Sequence, residues 1–172
     1  TVTSAGWASF SSAKALDFTG TGVTAYIAKE KDGSTVTLTE IEKVPASTGI
    51  VVNATAGTYA IPVLSGDADD TTGNLLKPWL TAGTPTDETY YTLAINGSGD
   101  PIFKKSSGGT LAAGKAYLVM PAGAAELTVD FGDDNTGDIT TGIDNIEHST
   151  LNIENAEVYN LNGQRVSQPT KG

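Results

Sequence analysis

Two acidic segments of the sequence contain the side chains best suited to bind a metal ion. The first contains Asp67, Asp69, Asp70 and Asn74, and the second, residues 133–138, contains three aspartates and one asparagine. Ca²⁺ takes about six to eight oxygen ligands, which closely spaced carboxylate, amide and carbonyl groups can supply. Neither segment has the spacing of an EF-hand loop, so two interpretations stay open. Either the first segment is a Ca²⁺ site, or both are solvated turns whose charge aids solubility; no other cofactor is indicated.

Four large aromatic residues are candidates for contact with a ligand. A sugar-binding β-domain typically uses a Trp or Tyr ring as a platform beside a few polar groups. Trp7 lies in a predicted strand and Tyr117 in an apolar run, so we expect both in the core. Trp79 follows a proline in a predicted loop, and Tyr90 points away from the side of the strand that buries Tyr91. Trp79 and Tyr90 are therefore the predicted ligand-binding residues, with packing as the alternative role for each.

The inventory of catalytic side chains is short. His148 is the one histidine, the sequence has no cysteine, and no Gly-x-Ser-x-Gly motif occurs. A nucleophile with a histidine base would therefore have to use that single residue. A glycosidase needs only two carboxylates, and the 20 acidic residues leave such a pair open. We predict that the chain is not an enzyme, and the alternative is a small glycan-active hydrolase that uses paired carboxylates.

Charge and composition exclude further classes of partner. The 172 residues include 10 basic and 20 acidic side chains, so the formal net charge is −10. That charge repels a phosphate backbone, which excludes a nucleic-acid partner. No apolar run approaches the roughly 20 residues that a membrane-spanning helix needs, so no transmembrane segment is expected. The 20 glycines and the low charged fraction of 17% favour short strands and many turns.

Alternating apolar residues predict the elements that would position these side chains. The alternation occurs in residues 35–39, 59–63, 91–95 and 127–131, and turn-forming segments rich in Gly, Asp, Asn and Ser separate the runs. Helical periodicity is nearly absent. The pattern predicts an all-β domain over residues 1–131, an antiparallel β-sandwich of about ten strands.

A weak internal repeat suggests two similar units within this domain. Residues 23–63 can be laid over residues 89–131 at an offset of about 66, which matches Val36 with Ile102. Coincidence in a sequence rich in Ala, Gly and Thr is the alternative. A true repeat would give two similar four-stranded units that pack face to face.

The C-terminal part of the sequence differs in character from the rest. Residues 132–150 are acidic and polar and are predicted to be a linker. Residues 151–172 follow, and in them Asn162 and Gly163 separate two short apolar runs. Asn-Gly in that setting is a strong signal for a tight β-hairpin. We therefore expect a hairpin-like tail.

The tail also carries a resemblance to a known kind of sequence. Residues 158–166 read Val-Tyr-Asn-Leu-Asn-Gly-Gln-Arg-Val, and Lys171 and Gly172 follow after a spacer. This pattern resembles the C-terminal sorting tail of secreted Bacteroidetes proteins. In those proteins an apolar strand and a basic end follow, whereas this sequence ends at Gly172, so the tail is expected to be partial.

The body of the sequence resembles the β-rich domain that often precedes such tails in Bacteroides and Prevotella surface proteins. The likeness lies in residues 6–10, 23–26, 90–93 and 111–118. The resemblance implies export to the medium or the outer cell surface. It also implies a non-catalytic, adhesin-like accessory module that binds extracellular glycan or protein, or that spaces other domains. It assigns no functional residue and leaves the oligomeric state open.

Overall fold

The computed structural model of the chain describes residues 1–87, 89–106, 108–120 and 123–131, and two short paired strands nearer the C-terminus. The chain consists of two compact units, Thr1–Asp134 and Asn135–Gly172. The described residues form strands and turns without a helix, which confirms the all-β prediction for them. No helix in the described part of the chain is long and apolar enough to cross a membrane.

The first unit contains eleven strands. They are β1 (Trp7–Ser12), β2 (Leu16–Asp17), β3 (Thr24–Asp32), β4 (Thr35–Ile41), β5 (Lys43–Val44), β6 (Thr48–Asn53), β7 (Leu76–Trp79), β8 (Tyr90–Ile95), β9 (Pro101–Lys105), β10 (Lys115–Val119) and β11 (Glu126–Phe131). The prediction of a strand at residues 59–63 is wrong. That segment has a single isolated bridge, between Val63 and Leu16.

Nine of these strands form one mixed sheet, in the order β1-β6-β3-β4-β11-β9-β8-β10-β7, and β2 pairs separately with β5. The two ends of the large sheet meet, so the sheet nearly closes into a barrel. The prediction of an antiparallel sandwich is corrected in two ways, because there is one large sheet and its β4–β11 pairing is parallel. Alternation shows only that each strand buries one face, which is true of a sandwich and of a barrel alike.

The sheet consists of two halves that flank β11. The N-terminal half-sheet has the order β1-β6-β3-β4, the C-terminal half-sheet has the order β7-β10-β8-β9, and every pairing inside either half is antiparallel. The offset of 66 matches Ala25 with Tyr91. Those two side chains belong to different core clusters on opposite faces of the sheet. The strand order thus recurs, but that residue alignment is shifted by an odd number of positions.

The two faces of the sheet bury two separate cores. The inner core lies between the two halves and contains the buried residues Ala28, Val36, Leu38, Val51, Leu76, Tyr91, Phe103, Leu118, Met120 and Leu127. The outer core lies on the opposite face of the N-terminal half-sheet, under the β2–β5 pair and neighbouring loops. Its buried residues are Val2, Leu16, Phe18, Val23, Ala25, Ile27, Ile41, Val44, Ile50, Val52 and Ala54.

Ser11 closes the seam where the two ends of the sheet meet. Its backbone N–H donates to the Gly114 carbonyl at 2.9 Å, and its hydroxyl donates to the Lys115 carbonyl at 2.6 Å. The same hydroxyl oxygen accepts from the backbone N–H of Trp79 at 3.2 Å. Ser11 is 3% exposed and is the one buried polar side chain among the described residues. One hydroxyl therefore links β1 with both β7 and β10.

A second close contact joins the halves where β6 passes β7. A Cβ atom on Gly49 would lie 2.8 Å from the Leu76 carbonyl oxygen, a distance that only glycine avoids. The Asn74 amide Nδ2 donates to the Gly49 carbonyl at 2.9 Å. Its Oδ1 accepts from the backbone N–H groups of Ala28 and Leu76 at 3.2 and 3.1 Å. Asn74 thus ties three strands together at this crossing.

The second unit contributes two described strands, β12 (Val158–Tyr159) and β13 (Arg165–Val166). They pair antiparallel, with Val158 opposite Val166. This pairing is the one that a hairpin around Asn162 and Gly163 requires. The predicted turn itself, His148 and the predicted linker at residues 132–150 lie outside the described residues.

Candidate binding groove at Trp79

Trp79, at the end of β7, belongs to an aromatic cluster on the outer face of the C-terminal half-sheet. Its ring meets that of Tyr117 on β10 edge to face, with centroids 5.6 Å apart. Tyr117 in turn meets Tyr90 on β8 edge to face, also at 5.6 Å. These three residues are the Trp79 cluster. The structure thus brings both sequence-predicted ligand-binding residues together, with Tyr117 between them.

Trp79 is fixed on three sides by hydrogen bonds. Its backbone N–H donates to the Ser11 hydroxyl, and its carbonyl accepts from the Gly114 N–H at 2.7 Å. Its indole Nε1–H donates to the Leu111 carbonyl at 3.1 Å. A Cβ atom on Gly83 would lie 3.3 Å from the indole Cζ2, so the ring packs closely on that backbone. The ring position is therefore set before any ligand arrives.

Asp87 fastens the covering segment, residues 80–87 after β7, to the Trp79 cluster. One carboxylate oxygen accepts from the Tyr117 hydroxyl at 2.8 Å, and the other pairs with the Lys77 ammonium at 2.6 Å. The Lys77 and Tyr117 hydrogen bonds hold the pKa of Asp87 below its ordinary value. Burial, and then the bond to Asp87, raise the pKa of Tyr117 to about 12. The Tyr117 proton is thus held firmly at neutral pH.

Beside Trp79 lies an open groove with a volume of about 520 Å³. Its lining residues are Pro78, Trp79, Leu80, Thr81, Ala82, Gly83 and Thr84. Leu80 is 41% exposed, an unusual degree for a large apolar side chain in this chain. None of the described lining side chains is ionisable. The groove therefore offers an aromatic and aliphatic surface with two threonine hydroxyls.

Tyr90 does not share this exposure. It is 6% exposed, and the ring of Tyr117 packs against it. Its ring has no open face for a ligand, so the structure favours packing over binding for this residue. Trp79 is half-buried and lines the groove. Of the two predicted residues, Trp79 is the one in a position to touch a ligand.

Two of the predicted calcium ligands in the loop of residues 66–74, Asp69 and Asp70, accept hydrogen bonds from other groups of the protein. One Asp69 carboxylate oxygen accepts from the backbone N–H groups of Glu42 and Lys43, at 3.1 and 2.8 Å. Asp70 accepts from the Thr72 backbone and hydroxyl, whose hydrogen bonds lower the pKa of Asp70.

The four predicted ligands therefore do not form one cluster around a common point. Asp67 is exposed, and both polar atoms of the Asn74 amide bond to the backbone of the strand crossing. Among the described residues, no group of three or more His, Asp or Glu side chains lies close enough to hold a metal ion. Ca²⁺ binding stays a prediction, and the second acidic segment lies outside the described residues.

A second aromatic cluster, which the sequence does not predict, lies at one end of the inner core. Trp7, Tyr26 and Phe131 have ring centroids 5.6 to 6.1 Å apart and form the barrel-end cluster. Trp7 is half-buried rather than fully in the core, and Phe131 is 45% exposed. The three residues come from strands far apart in the chain, so no local sequence signal marks the cluster.

The carboxyl groups of the first unit that have a shifted pKa all shift in the same direction. There are four such groups among the described residues, and in each case hydrogen bonds to the carboxylate lower the pKa; they are Asp17, Asp32, Asp70 and Asp87. A glycosidase general acid needs the opposite shift, a pKa raised toward neutrality. Those four groups therefore suit a structural role.

Comparison of the chain with protein-family models, with curated proteins and with solved structures finds no match in any of the three. No relative therefore assigns a role to Trp79, to the loop of residues 66–74 or to the barrel-end cluster. The chemistry of each has to be inferred from its own surroundings.

Proposed function

We propose that this chain is a non-catalytic accessory module of an extracellular bacterial surface protein, and that it binds a glycan or protein ligand in the groove beside Trp79. The observation that carries the proposal is the half-buried Trp79 ring, which forms one wall of an open groove lined largely by apolar groups. Binding sites typically combine such walls with a few polar groups that orient the ligand.

The fixed position of Trp79 supports binding over a purely structural role. Hydrogen bonds from its backbone and from its indole nitrogen hold the ring against Gly83 and Tyr117. A ring that is already immobile loses little conformational entropy when a ligand covers it. Leu80, which is 41% exposed, adjoins the half-buried Trp79 ring and extends this apolar surface.

The chemistry of the groove supports binding over hydrolysis. The seven described residues that line it include no carboxylate. Asp87, the acid that fastens the covering segment, is ion-paired with Lys77 and has a lowered pKa. Hydrolysis of a glycan would require two carboxylates on either side of the scissile bond, one of them with a raised pKa.

The extracellular location rests on the tail sequence. Residues 158–166 resemble the sorting tail of secreted Bacteroidetes proteins, and Val158 and Tyr159 pair with Arg165 and Val166 as a hairpin requires. Fractionation of the native host tests this part of the proposal. The full-length gene product is expected at the cell surface or in the medium, and recovery from the cytoplasm would refute the location.

A glycan array combined with a hydrolysis screen tests the binding function. The wild-type chain, Trp79→Ala and Phe131→Ala would be compared with and without Ca²⁺. We expect binding without turnover, lost in Trp79→Ala and kept in Phe131→Ala, whose exposed ring belongs to the barrel-end cluster. Turnover that disappears on replacement of an acidic residue would establish the hydrolase instead. Binding that requires Ca²⁺ would move the site to the loop of residues 66–74.

A further inference from the structure

From the chemistry of the groove we infer its ligand class: a neutral glycan, with a sugar ring stacked on Trp79 and sugar hydroxyls bonded to Thr81 and Thr84. The inference rests on the proposed function, because it assigns a ligand to the same groove. Three properties of the groove support this inference. They are its uncharged described lining, its exposed threonine hydroxyls, and backbone groups that already have hydrogen-bond partners.

The charge of the groove favours an uncharged ligand. Among the residues that the structure describes, no side chain that lines the groove is ionisable, and the nearby Lys77 is already paired with Asp87 at 2.6 Å. The chain carries a net charge of −10, which repels a polyanion over the whole surface. Lys115, the cross-strand neighbour of Trp79, is the described cation beside the groove that could attract an anion. Its replacement therefore separates a neutral from an acidic glycan.

The free polar groups of the groove suit sugar hydroxyls. Thr81 and Thr84 are exposed, and neither hydroxyl takes part in a side-chain hydrogen bond with another described residue. A threonine hydroxyl both donates and accepts, as a sugar hydroxyl does. The C–H face of a pyranose ring complements the electron-rich face of an indole. One partly exposed indole beside two free hydroxyls matches this combination.

The backbone around the groove leaves little for a peptide. Gly83 and Leu111 exchange both of their backbone hydrogen bonds, at 3.1 and 2.6 Å. The N–H and carbonyl of Trp79 are bonded to Ser11 and Gly114, and the indole N–H is bonded to the Leu111 carbonyl. Two recurring modes of peptide docking use a free strand edge, or an aromatic-lined groove whose side chains donate hydrogen bonds to the peptide. Neither kind of group is free at Trp79 itself.

The test is a binding titration of the full chain with probes of three classes. The neutral probes are a glucan, a mannan and a xylan; the acidic probe is polygalacturonate; the peptide probe is a proline-rich decapeptide. We expect at least one neutral glycan to bind, with affinity that changes less than about twofold as salt rises from about 0.05 to 0.5 M. Polygalacturonate and the peptide are expected not to bind.

Five variants locate the site and its charge dependence. Trp79→Ala should weaken binding by at least about tenfold. Because that change also removes packing on Tyr117, Leu80→Asp at an exposed position provides a second test, with an expected loss of similar size. Thr84→Val should cost a smaller factor of about three to five. Lys115→Ala and Phe131→Ala are the controls and should stay within about twofold of wild type.

The outcomes separate the ligand class from the proposed function. Salt-sensitive binding of polygalacturonate that Lys115→Ala abolishes would overturn the neutral class, and so would Trp79-dependent binding of the peptide. Either result would leave the Trp79 groove as a binding site. Glycan binding that neither Trp79→Ala nor Leu80→Asp weakens, or no binding in any class, would overturn both the ligand class and the proposed site.

Discussion

The two half-sheets have the same strand order and the same antiparallel pairings, but their outer faces differ. In the N-terminal half-sheet, apolar residues, the β2–β5 pair and adjoining loops cover the outer face. In the C-terminal half-sheet it carries the Trp79 cluster. Hydrogen bonds from Tyr117 and Lys77 to Asp87, and the backbone pair of Gly83 with Leu111, hold the covering segment. The apolar cover of the N-terminal half-sheet leaves two pockets of about 230 and 170 Å³, and the groove at Trp79, of about 520 Å³, is larger than either.

The two tryptophans show the same difference. Trp7, at the start of β1, packs with Tyr26 and Phe131 at the end of the inner core. Trp79, at the end of β7, lies on the outer face and lines the groove. These strands hold the equivalent terminal positions in the two halves. A shared strand order therefore does not place the same residue types on the same face, and binding chemistry is determined by what covers each face.

The largest expected effect tests how closely the two halves approach each other. Gly49→Ala would place a Cβ atom 2.8 Å from the Leu76 carbonyl oxygen and force β6 and β7 apart. We expect a loss of about 3 kcal/mol in the free energy of unfolding, measured by urea denaturation. Gly33→Ala is the matched control, because nothing lies within 4 Å of its added Cβ. Equal effects in the two variants would contradict the close crossing.

Substitution of Asn74 tests whether this residue stabilises the strand crossing or binds a metal ion. Asn74→Ala removes the partners of two backbone N–H groups and of the Gly49 carbonyl, which should cost about 2 kcal/mol. Asn74→Asp loses only the donor to Gly49 and should cost about 1 kcal/mol. Thermal denaturation with and without Ca²⁺ checks both. A rise in Tm with Ca²⁺ that Asn74→Asp keeps and Asn74→Ala loses would assign Asn74 to a calcium site instead.

Ser11 tests the seam between the two ends of the sheet. Ser11→Ala removes the donor to the Lys115 carbonyl and the acceptor of the Trp79 N–H. The expected loss is about 1 to 2 kcal/mol in the free energy of unfolding, together with weaker ligand binding at Trp79. Ser9→Ala, on the same face of β1, is the control and should cost less than about 0.5 kcal/mol. A loss of stability without any effect on binding would show that the seam does not position Trp79.

The smallest effect concerns the fastening of the covering segment through Tyr117. The pKa of Tyr117 is raised from 10.0 to about 12 in the folded chain, so between these pH values the unfolded state releases the proton first. The free energy of unfolding should therefore fall as pH rises through that window, and the fall should be shallower in Tyr117→Phe. At neutral pH this variant should lose about 1 kcal/mol or less. Identical alkaline profiles for the two proteins would contradict the raised pKa of Tyr117.

Local patterns predict several strands and turns of this fold, although the strand predicted at residues 59–63 is wrong. Alternation marks Tyr91 and Leu93, which face the inner core, and the turn-forming segment that follows, residues 96–100, is a turn in the structure. Its Asn96 side chain accepts from the N–H groups of Ser98 and Asp100, both at 2.9 Å. These features depend on a few neighbouring residues, which is why the sequence alone reveals them.

Long-range pairing does not follow from such local patterns. The parallel β4–β11 ladder joins residues more than 90 positions apart, and the Ser11 seam depends on a single hydroxyl. The sequence predicts the candidate site in part. It indicates Trp79 as a candidate ligand-binding residue, but it assigns this residue to a loop after a proline. The structure places it at the end of β7, an end strand that tolerates Pro78. Tyr90 is buried against Tyr117 of β10, a packing between strands that alternation within β8 cannot reveal.

If ligand binding belongs to the groove of the C-terminal half-sheet and not to the barrel-end cluster, the two tryptophans should respond differently to a ligand. One lies in each half-sheet, so the two indole N–H signals in a proton–nitrogen correlation spectrum report on both regions at once. Titration with a bound neutral glycan should shift the Trp79 signal in a saturable way and leave the Trp7 signal in place; Trp79→Phe identifies the signals. A saturable shift of the Trp7 signal with an unmoved Trp79 signal would contradict binding in the groove.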